Sequence, residues 1–389
     1  MVREIMKNIF AVGVNDWDRR LFDELIPLPD GTSYNAYLIK GKEKNVLIDT
    51  VDPTKERELI KNLKSLDLKI DYLISLHAEQ DHSGAIPKVL ELYPEAKLIT
   101  NKKGKEFLID LLLIPEERFI TVEDNEKISL GNKTLQFIFT PWVHWPETMV
   151  AYLLEDKILF TCDLFGSHLA TSDLFAKDKE RVYISAKRYY AEIMMPFRTL
   201  IKEHLKKIKN LEIKMIAPSH GPIYSEPDFI INAYEDWVSD KVKNEVILAY
   251  VSMHNSTKIM AEFLISELIN YGIKVIPFNL TKTDIGELAI AVVDAATILI
   301  GTPTILTGPH PAALFAIYLI NILKPKTKYL GIFGSYGWGG KTIDIVKNLF
   351  TNLNAEMLPP LLIKGYPKEK DFDLLKEWAK EIKEKHQNL

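Results

Sequence analysis

The 389 residues contain a single cysteine, Cys162. That excludes a disulfide framework, a C-x-x-C metal cluster and a rubredoxin-type iron site within this chain. No stretch approaches the roughly 20 consecutive apolar residues of a membrane span. The opening stretch, MVREIMKNIFAVGVNDWDRR, has a charge every few positions and no apolar core of signal-peptide length. A soluble, cytoplasmic protein with no membrane association is expected. Excess positive charge is missing too. The formal net charge is −4, which gives no electrostatic reason to expect nucleic acid. Repeats and low-complexity tracts are absent as well.

What is present is a 47% apolar chain that is long for one core, so two domains are expected. The first half alternates short strands with turns, at 35–39, 44–50, 71–76, 97–100, 135–141, 149–155, 157–163 and 214–220. Helical patterns intervene at 54–65, 83–92 and 199–209, which suggests a mixed α/β layered domain. Near residue 245 the pattern becomes strictly alternating. Apolar strands at 245–252, 274–280, 297–303, 328–335 and 356–365 each precede a helix, at 257–271, 283–295, 311–323, 341–353 and 370–386. Near-continuous apolar strands with helices between them describe a doubly wound parallel sheet. Residues 233–244 are expected to join the two domains.

The stretch LHAEQDH (76–82) packs His77, Glu79, Asp81 and His82 into a strand-to-helix loop. Any one of them reads as an ordinary polar loop or helix-start residue. Together they look like half of a metal site. His144 in TPWVHWPET, Asp163 at the end of KILFTCD and His220 at the end of KMIAPSH also follow strands, where loop-borne ligands sit. His168, five residues past Asp163, is either a supporting residue or an ordinary loop histidine. Cys162 reads as a small buried side chain. His204 and His386 lie on charged helical patterns and are expected on the solvated surface.

In the second half, SMHNST (252–257) places hydroxyls and backbone amides at a helix N-terminus. That is a phosphate cradle in form, although Ser, Thr and Asn before a helix are by themselves only an N-cap. GTPTILTGPHP (301–311) and GSYGWGGKT (334–342) follow the third and fourth strands. With the first strand, these flank the switch point of a flavodoxin-like sheet. No dinucleotide-type G-x-G-x-x-G is present.

H-x-E-x-D-H followed by His, Asp and His at strand ends resembles the ligand pattern of metallo-β-lactamase-like domains. Hydrolases of that kind have His where Glu79 stands. A carboxylate there resembles the flavodiiron proteins, whose second domain is flavodoxin-like, and the resemblance covers nearly the whole chain. It implies an N-terminal metallo-β-lactamase-like αββα sandwich over 1–244 and a C-terminal flavodoxin-like five-stranded sheet over 245–389. It implies two irons, one on His77, Glu79 and His144, the other on Asp81, His82 and His220, with Asp163 bridging. Tyr189 and Tyr190 resemble the family's tyrosine-containing segment near the irons, and core packing is the competing reading.

The resemblance also implies FMN. Its phosphate would lie on Ser252, His254, Asn255, Ser256 and Thr257, with His254 in place of the usual aromatic residue and Asn255 in place of the usual Gly. Asn tolerates left-handed geometry, so the cradle is expected to survive. Thr302, Pro303 and Thr304 match the family's loop against the flavin, while Ile305-Leu306-Thr307 departs from its pattern. Gly334, Ser335, Tyr336, Gly337, Trp338 and Gly339 form the other flanking loop, and Trp338 is a candidate to cover the ring or to lie near the facing metal site. The implied activity is reduction of dioxygen to water, or of nitric oxide, in a head-to-tail homodimer or dimer of dimers. The implied donor is a separate rubredoxin or, in methanogenic archaea, reduced deazaflavin coenzyme F-420. The Lys-, Glu- and Ile-rich composition and the likeness to the archaeal form favour the deazaflavin. A zinc-dependent hydrolase with a flavodoxin domain and a flavodoxin-like carrier on a dead scaffold are the rivals.

Overall fold

Residues 2–389 are described in a computed structural model that divides into two compact units. The first runs to Tyr190 and takes in Phe197–Val238; the second holds Ala191–Pro196 and Ser239–Leu389.

Two large sheets and two short antiparallel strand pairs, Val14–Asp16 with Thr32–Tyr34 and Leu21–Phe22 with Ile26–Pro27, build the first unit. One has strands β1 (Arg3–Met6), β2 (Ile9–Ala11), β3 (Tyr37–Lys40), β4 (Asn45–Ile48), β5 (Tyr72–Ile74), β6 (Lys97–Asn101) and β7 (Phe119–Val122), in that spatial order. It is antiparallel from β1 to β4 and parallel from β4 to β7. The other sheet has β8 (Lys127–Ser129), β9 (Thr134–Phe139), β10 (Met149–Leu153), β11 (Ile158–Cys162) and β12 (Met215–Pro218), with only β11 and β12 parallel.

Strand alternation produces the layering. Ile39, Val46, Ile48, Ile74 and Ile99 face the second sheet, where they share a core with Leu135, Phe137, Ala151, Ile158 and Phe160. Their neighbours Leu38, Leu47, Leu73 and Leu98 face the other way and pack under helices. These helices are α1 (Glu56–Leu66), α3 (Ile86–Leu92) and α4 (Lys102–Leu112), with the single turn α2 (Gln80–Ser83) between the first two. Leu59 and Leu63 on α1, and Ile86 and Val89 on α3, are the apolar pairs at helical spacing that meet the sheet. Helices α5 (Lys179–Tyr189), α6 (Arg198–Ile208) and α7 (Pro227–Val238) complete the unit.

The expected strands and helices of this half are present, but β1, β2, β7, β8, α4, α5 and α7 were not legible as elements. Residues 233–238, expected in a joining segment, are the last turns of α7. Tyr234 and Trp237 there are fully buried. The acidic pair Glu235-Asp236 between them disguised the apolar spacing.

The second unit is a parallel sheet of β13 (Lys243–Tyr250), β14 (Lys274–Asn279), β15 (Ala295–Ile305), β16 (Tyr329–Tyr336), β17 (Glu356–Met357) and β18 (Leu361–Lys364). The spatial order is β14-β13-β15-β16, with β17 and β18 both on the far side of β16. This is the flavodoxin-like order, whose switch point lies between the first and third strands. The expected last strand, 356–365, is two short pieces, because Pro359 and Pro360 have no N–H to give the ladder. Helices α8 (Ser256–Asn270), α9 (Ile285–Val292), α10 (Pro311–Leu323), α11 (Thr342–Leu349) and α12 (Glu369–His386) alternate with the strands. Among the described residues no helix is long and apolar enough to cross a membrane.

Candidate metal centre and flavin cradle

Four strand ends of the first unit converge. His77 and Glu79 lie in the loop after β5, and Asp81 and His82 lie on the single turn of α2 rather than in the loop. His144 comes from the loop between β9 and β10, Asp163 directly follows β11, and His220 follows β12. The residues form two groups of converging ligand atoms, His77–Glu79–His144–Asp163 and Asp81–His82–His220.

Asp163 links the groups with one oxygen each. Its Oδ2 lies 3.4 Å from His77 Nε2 and 3.5 Å from His144 Nε2. Its Oδ1 lies 2.9 Å from His82 Nε2 and 3.5 Å from His220 Nε2. Glu79 Oε2 closes the first group at 3.1 Å from His77 Nε2 and 3.0 Å from His144 Nε2. Asp81 closes the second, 3.3 Å from His82 Nε2 and 3.1 Å from His220 Nε2. All four imidazoles therefore turn Nε2 inward. Both oxygens of Asp81 and of Asp163 are buried without a properly formed hydrogen bond. Buried carboxylates left so are costly unless a cation completes them. This donor set fits two cations that share Asp163.

A second layer sets the rings. Glu147, buried, accepts from His77 Nδ1 at 2.7 Å and from the Ala78 amide at 2.9 Å. The Ser33 carbonyl accepts from His220 Nδ1 at 2.7 Å. Because these acceptors have no proton to give, Nδ1 carries the hydrogen in both rings and Nε2 keeps its lone pair for a cation. Thr32 Oγ1 lies 2.9 Å from His168 Nδ1 and 3.3 Å from His220 Nδ1. The carbonyl of His82 accepts from the Thr50 amide and hydroxyl, at 2.8 and 2.6 Å. Buried Asp49 accepts from the Leu76 amide at 2.8 Å, and burial raises its carboxyl to about 6. Thr32, Ser33, Asp49, Thr50 and Glu147 were not anticipated. For Asp49 and Thr50 the available signal was the same as for the ligands, polar residues just beyond an apolar strand; Thr32 and Ser33 lie instead on a short strand, Thr32–Tyr34, and Glu147 in the loop between β9 and β10, with no such signal.

Without a cation, the carboxylates act on the rings. Burial disfavours charge on His82 and His144, but Asp81 and Asp163 for the first ring, and Asp163 and Glu79 for the second, outweigh it and lift both to about 9. His77 is likewise raised well above its ordinary value against burial, by Glu147 and Glu79. His168 goes the other way, held neutral by burial and by His220.

His168 and Tyr189 both border the cluster. Their rings are 4.8 Å apart, and each lies close to His220, at 4.8 and 5.6 Å. Tyr190 does not. It packs on Tyr234 and Trp237, at 5.4 and 5.3 Å, which is the core-packing reading. Cys162 is buried as expected. The expectation of solvated rings fails for His204 and His386, which are 6% and 8% exposed. Both sit on the single inward stripe of a helix whose other faces are charged.

In the second unit, a cavity of about 180 Å3 opens at the carboxyl ends of β13, β15 and β16. Ser252, His254, Ser256, Thr257, Pro303, Thr304, Ser335, Tyr336 and Gly337 line it, as do Met253 and Gly365, which were not anticipated. Asn255 takes the left-handed φ of 68° at the N-cap of α8, so the turn survives without glycine. Thr257 Oγ1 and Ser335 Oγ stand 3.4 Å apart, too far to satisfy each other well and placed to share an anion. Thr302, Gly334, Trp338 and Gly339 do not line the cavity. Thr302 Oγ1 accepts from the His310 amide at 3.0 Å and so braces the loop. A Cβ at Gly334 would meet the Thr302 carbonyl at 1.8 Å, so Gly334 allows β15 and β16 to run close. Trp338 is 80% exposed.

These two units define a metallo-β-lactamase-like domain followed by a flavodoxin-like one. Residues 32–221 match the family model described as ODP family beta lactamase. The chain is 38% identical to an uncharacterized protein of Methanocaldococcus jannaschii, covering 98% of each. It is 36% identical to the nitric oxide reductase of Moorella thermoacetica, covering 97% of each. The solved rubredoxin oxygen:oxidoreductase of Desulfovibrio gigas superposes with a TM-score of 0.96 at 29% identity, over 100% of this chain and 99% of that one. The chain belongs to the flavodiiron protein family of oxidoreductases.

Proposed function

We propose that this protein reduces dioxygen to water at a non-haem diiron centre in residues 1–244. Residues 245–389 would hold FMN, which supplies electron relay when bound, and reduced deazaflavin coenzyme F-420 is the donor. The observation that carries the reading is the split of Asp163, one oxygen toward each histidine–carboxylate group, with Glu79 rather than His in the first.

His77, Glu79 and His144 would hold one iron and Asp81, His82 and His220 the other, with Asp163 shared between the two groups. Anionic oxygen donors beside imidazoles suit iron that cycles between ferrous and ferric, the chemistry the pair supplies when bound. Glu147 and the Ser33 carbonyl keep the protons of His77 and His220 on the outer nitrogens. Burial of every donor except the partly exposed Glu79 and His144 limits water to that side of the cluster. Ser252, Ser256, Thr257 and Ser335 with the α8 amides would hold the FMN phosphate, and Pro303, Thr304, Tyr336 and Gly337 would border the flavin. A head-to-tail homodimer, alone or paired into a dimer of dimers, is the assembly this reading carries.

The Lys-, Glu- and Ile-rich composition and the 38% identity to a protein of a methanogen support the deazaflavin as donor. A second reading, reduction of dioxygen or nitric oxide with electrons from rubredoxin, is favoured by the names of the Moorella and Desulfovibrio relatives. Purified protein with measured iron and flavin content, mixed anaerobically with reduced F-420 or with reduced rubredoxin and then with dioxygen or nitric oxide, tests both. F-420 oxidation coupled to dioxygen loss supports the first reading. Turnover with reduced rubredoxin alone supports the second. Zinc in place of iron, without flavin, in protein made under iron-replete conditions refutes both.

A further inference from the structure

His204 has no place in the ligand set, yet it is a buried histidine facing the loop that carries one. On α6 it is 6% exposed, and its Nε2 lies 3.0 Å from the Pro141 carbonyl. That carbonyl only accepts, so Nε2 bears the hydrogen. Nδ1 is then a buried nitrogen with no partner among the described residues. Burial holds the ring below its ordinary basicity, which keeps it a neutral donor. A neutral donor on a helix, spent on one carbonyl while its other nitrogen stays unsatisfied, is an expensive way to fill space.

The carbonyl it holds belongs to the segment Thr140–Thr148. This segment supplies His144 to the cluster and Glu147 to His77. It is closed on itself by the Trp142 amide to the Trp145 carbonyl, at 2.7 Å, and by the Thr148 hydroxyl to the Thr140 carbonyl, at 2.6 Å. On the Glu147 side, Asn101 Nδ2 donates to the Glu147 carbonyl at 2.5 Å. On the His144 side, the grip comes from α6 and the residue that precedes it. His204 holds Pro141, Lys207 Nζ donates to the Phe139 carbonyl at 3.3 Å, and the Trp142 ring lies against Phe197 with centroids 6.3 Å apart and planes 19° from parallel. Trp142 itself is in the left-handed region at φ 65°, which a non-glycine residue adopts only when held.

We infer that His204 is a positioning residue that clamps the entry to this loop and so keeps His144 against Glu79 and Asp163. The inference rests on the two-metal reading above. The two groups of donors predict an asymmetric effect. Loosening His144 weakens the cation on His77, Glu79 and His144, and leaves the one on Asp81, His82 and His220 in place.

The test compares iron-loaded full-length wild type, His204→Met, which fills the space without a donor, and His204→Gln, whose amide restores one. Each is equilibrated with rising concentrations of a ferrous chelator, and the iron remaining per chain is measured by elemental analysis. Outer-layer partners of ligands change metal affinity by about 10–100-fold, and His204 acts through the backbone, so the low end applies. His204→Met should lose one iron at about 10-fold lower chelator concentration while the second stays at the wild-type value, and His204→Gln should recover most of the difference. Parallel loss of both irons, or no change in either, overturns the inference. If His204→Met does not fold, His204→Gln compared with His204→Asn, whose shorter amide does not reach Pro141, carries the same test. Wild type that takes up no iron refutes the metal reading itself and is seen before any variant is made.

Discussion

Lowering the pH should destabilise the second unit through one ring. His386, at the end of α12, stacks on Tyr329 and is 8% exposed. Its Nδ1 lies 2.8 Å from Asn244 Oδ1, and its Nε2 lies 2.7 Å from Thr297 Oγ1. Asn244 spends its amide nitrogen on the Gly272 carbonyl, so its oxygen faces the ring. The neutral ring therefore donates through Nδ1 and accepts the threonine hydroxyl at Nε2. Protonation would put a second donor against that hydroxyl in a buried place, and burial holds the ring down to about 4, from 6.5. The unfolded chain binds this proton more tightly than the folded one. Stability from His386 is therefore complete above about pH 6.5 and is lost as the pH falls toward 4. At about 1.4 kcal/mol for each tenfold change in proton affinity, the full effect is about 3 kcal/mol. Fraying of the last turn of α12 offers the ring a cheaper route to water, so about 1–3 kcal/mol is expected. His386→Gln keeps polar partners but cannot titrate. Hydrogen exchange of β15 and α12 amides, measured for both proteins from pH 7 to 4 and corrected for intrinsic rates, reads the difference. The wild type should lose protection relative to the variant across this window. Equal losses in the two proteins would show that the ring is not held neutral, and the assignment of its hydrogen bonds would fall.

Three further outcomes follow from the sites. Asp163→Asn removes the charge both cations share, and iron should fall from two per chain to one or none while flavin absorbance is unchanged; an intact diiron spectrum would remove Asp163 from the bridge. Glu147→Leu leaves two buried donors, His77 Nδ1 and the Ala78 amide, without an acceptor. At about 1–3 kcal/mol each, unfolding measurements should show the metal-free protein destabilised by about 2–6 kcal/mol, whereas Glu147→Gln, which keeps an oxygen there, should lose far less. Thr257→Asp sets a carboxylate against the proposed phosphate, and purified protein should lack flavin absorbance yet retain its iron; flavin bound at wild-type level would move the cradle elsewhere.

The strand ends were legible because a ligand needs a particular side chain at a particular place, and both are written in the chain. HAEQDH, His144, Asp163 and His220 could be read this way, as could the change to alternating strands and helices after residue 245. What holds the ligands was harder to see. Glu147 lies three residues from His144 yet serves His77, and nothing local says so. Thr32 and Ser33 reach His168 and His220 across most of the first unit. His204 and His386 were misplaced because a helix with charges on most faces hides a narrow inward stripe. Thr302 and Gly334 belong to the right loops, but the structure gives them bracing and close packing rather than a place in the cavity.

The distance along the chain between the donors has a consequence for how the protein acquires its metals. At about 5–20 residues per second, His220 leaves the ribosome on the order of ten seconds after His77. During that interval His77, Glu79, Asp81 and His82 exist as a flexible multidentate peptide. In that state, affinity follows the general order of divalent metals, which ranks copper and zinc above ferrous iron. The two-group geometry that favours iron exists only once β12 has joined the sheet beside β11. Choice of metal therefore belongs to the cell's free-metal levels during synthesis as much as to the finished site. Protein made in zinc-rich, iron-poor medium should carry the wrong ion in a correctly folded chain.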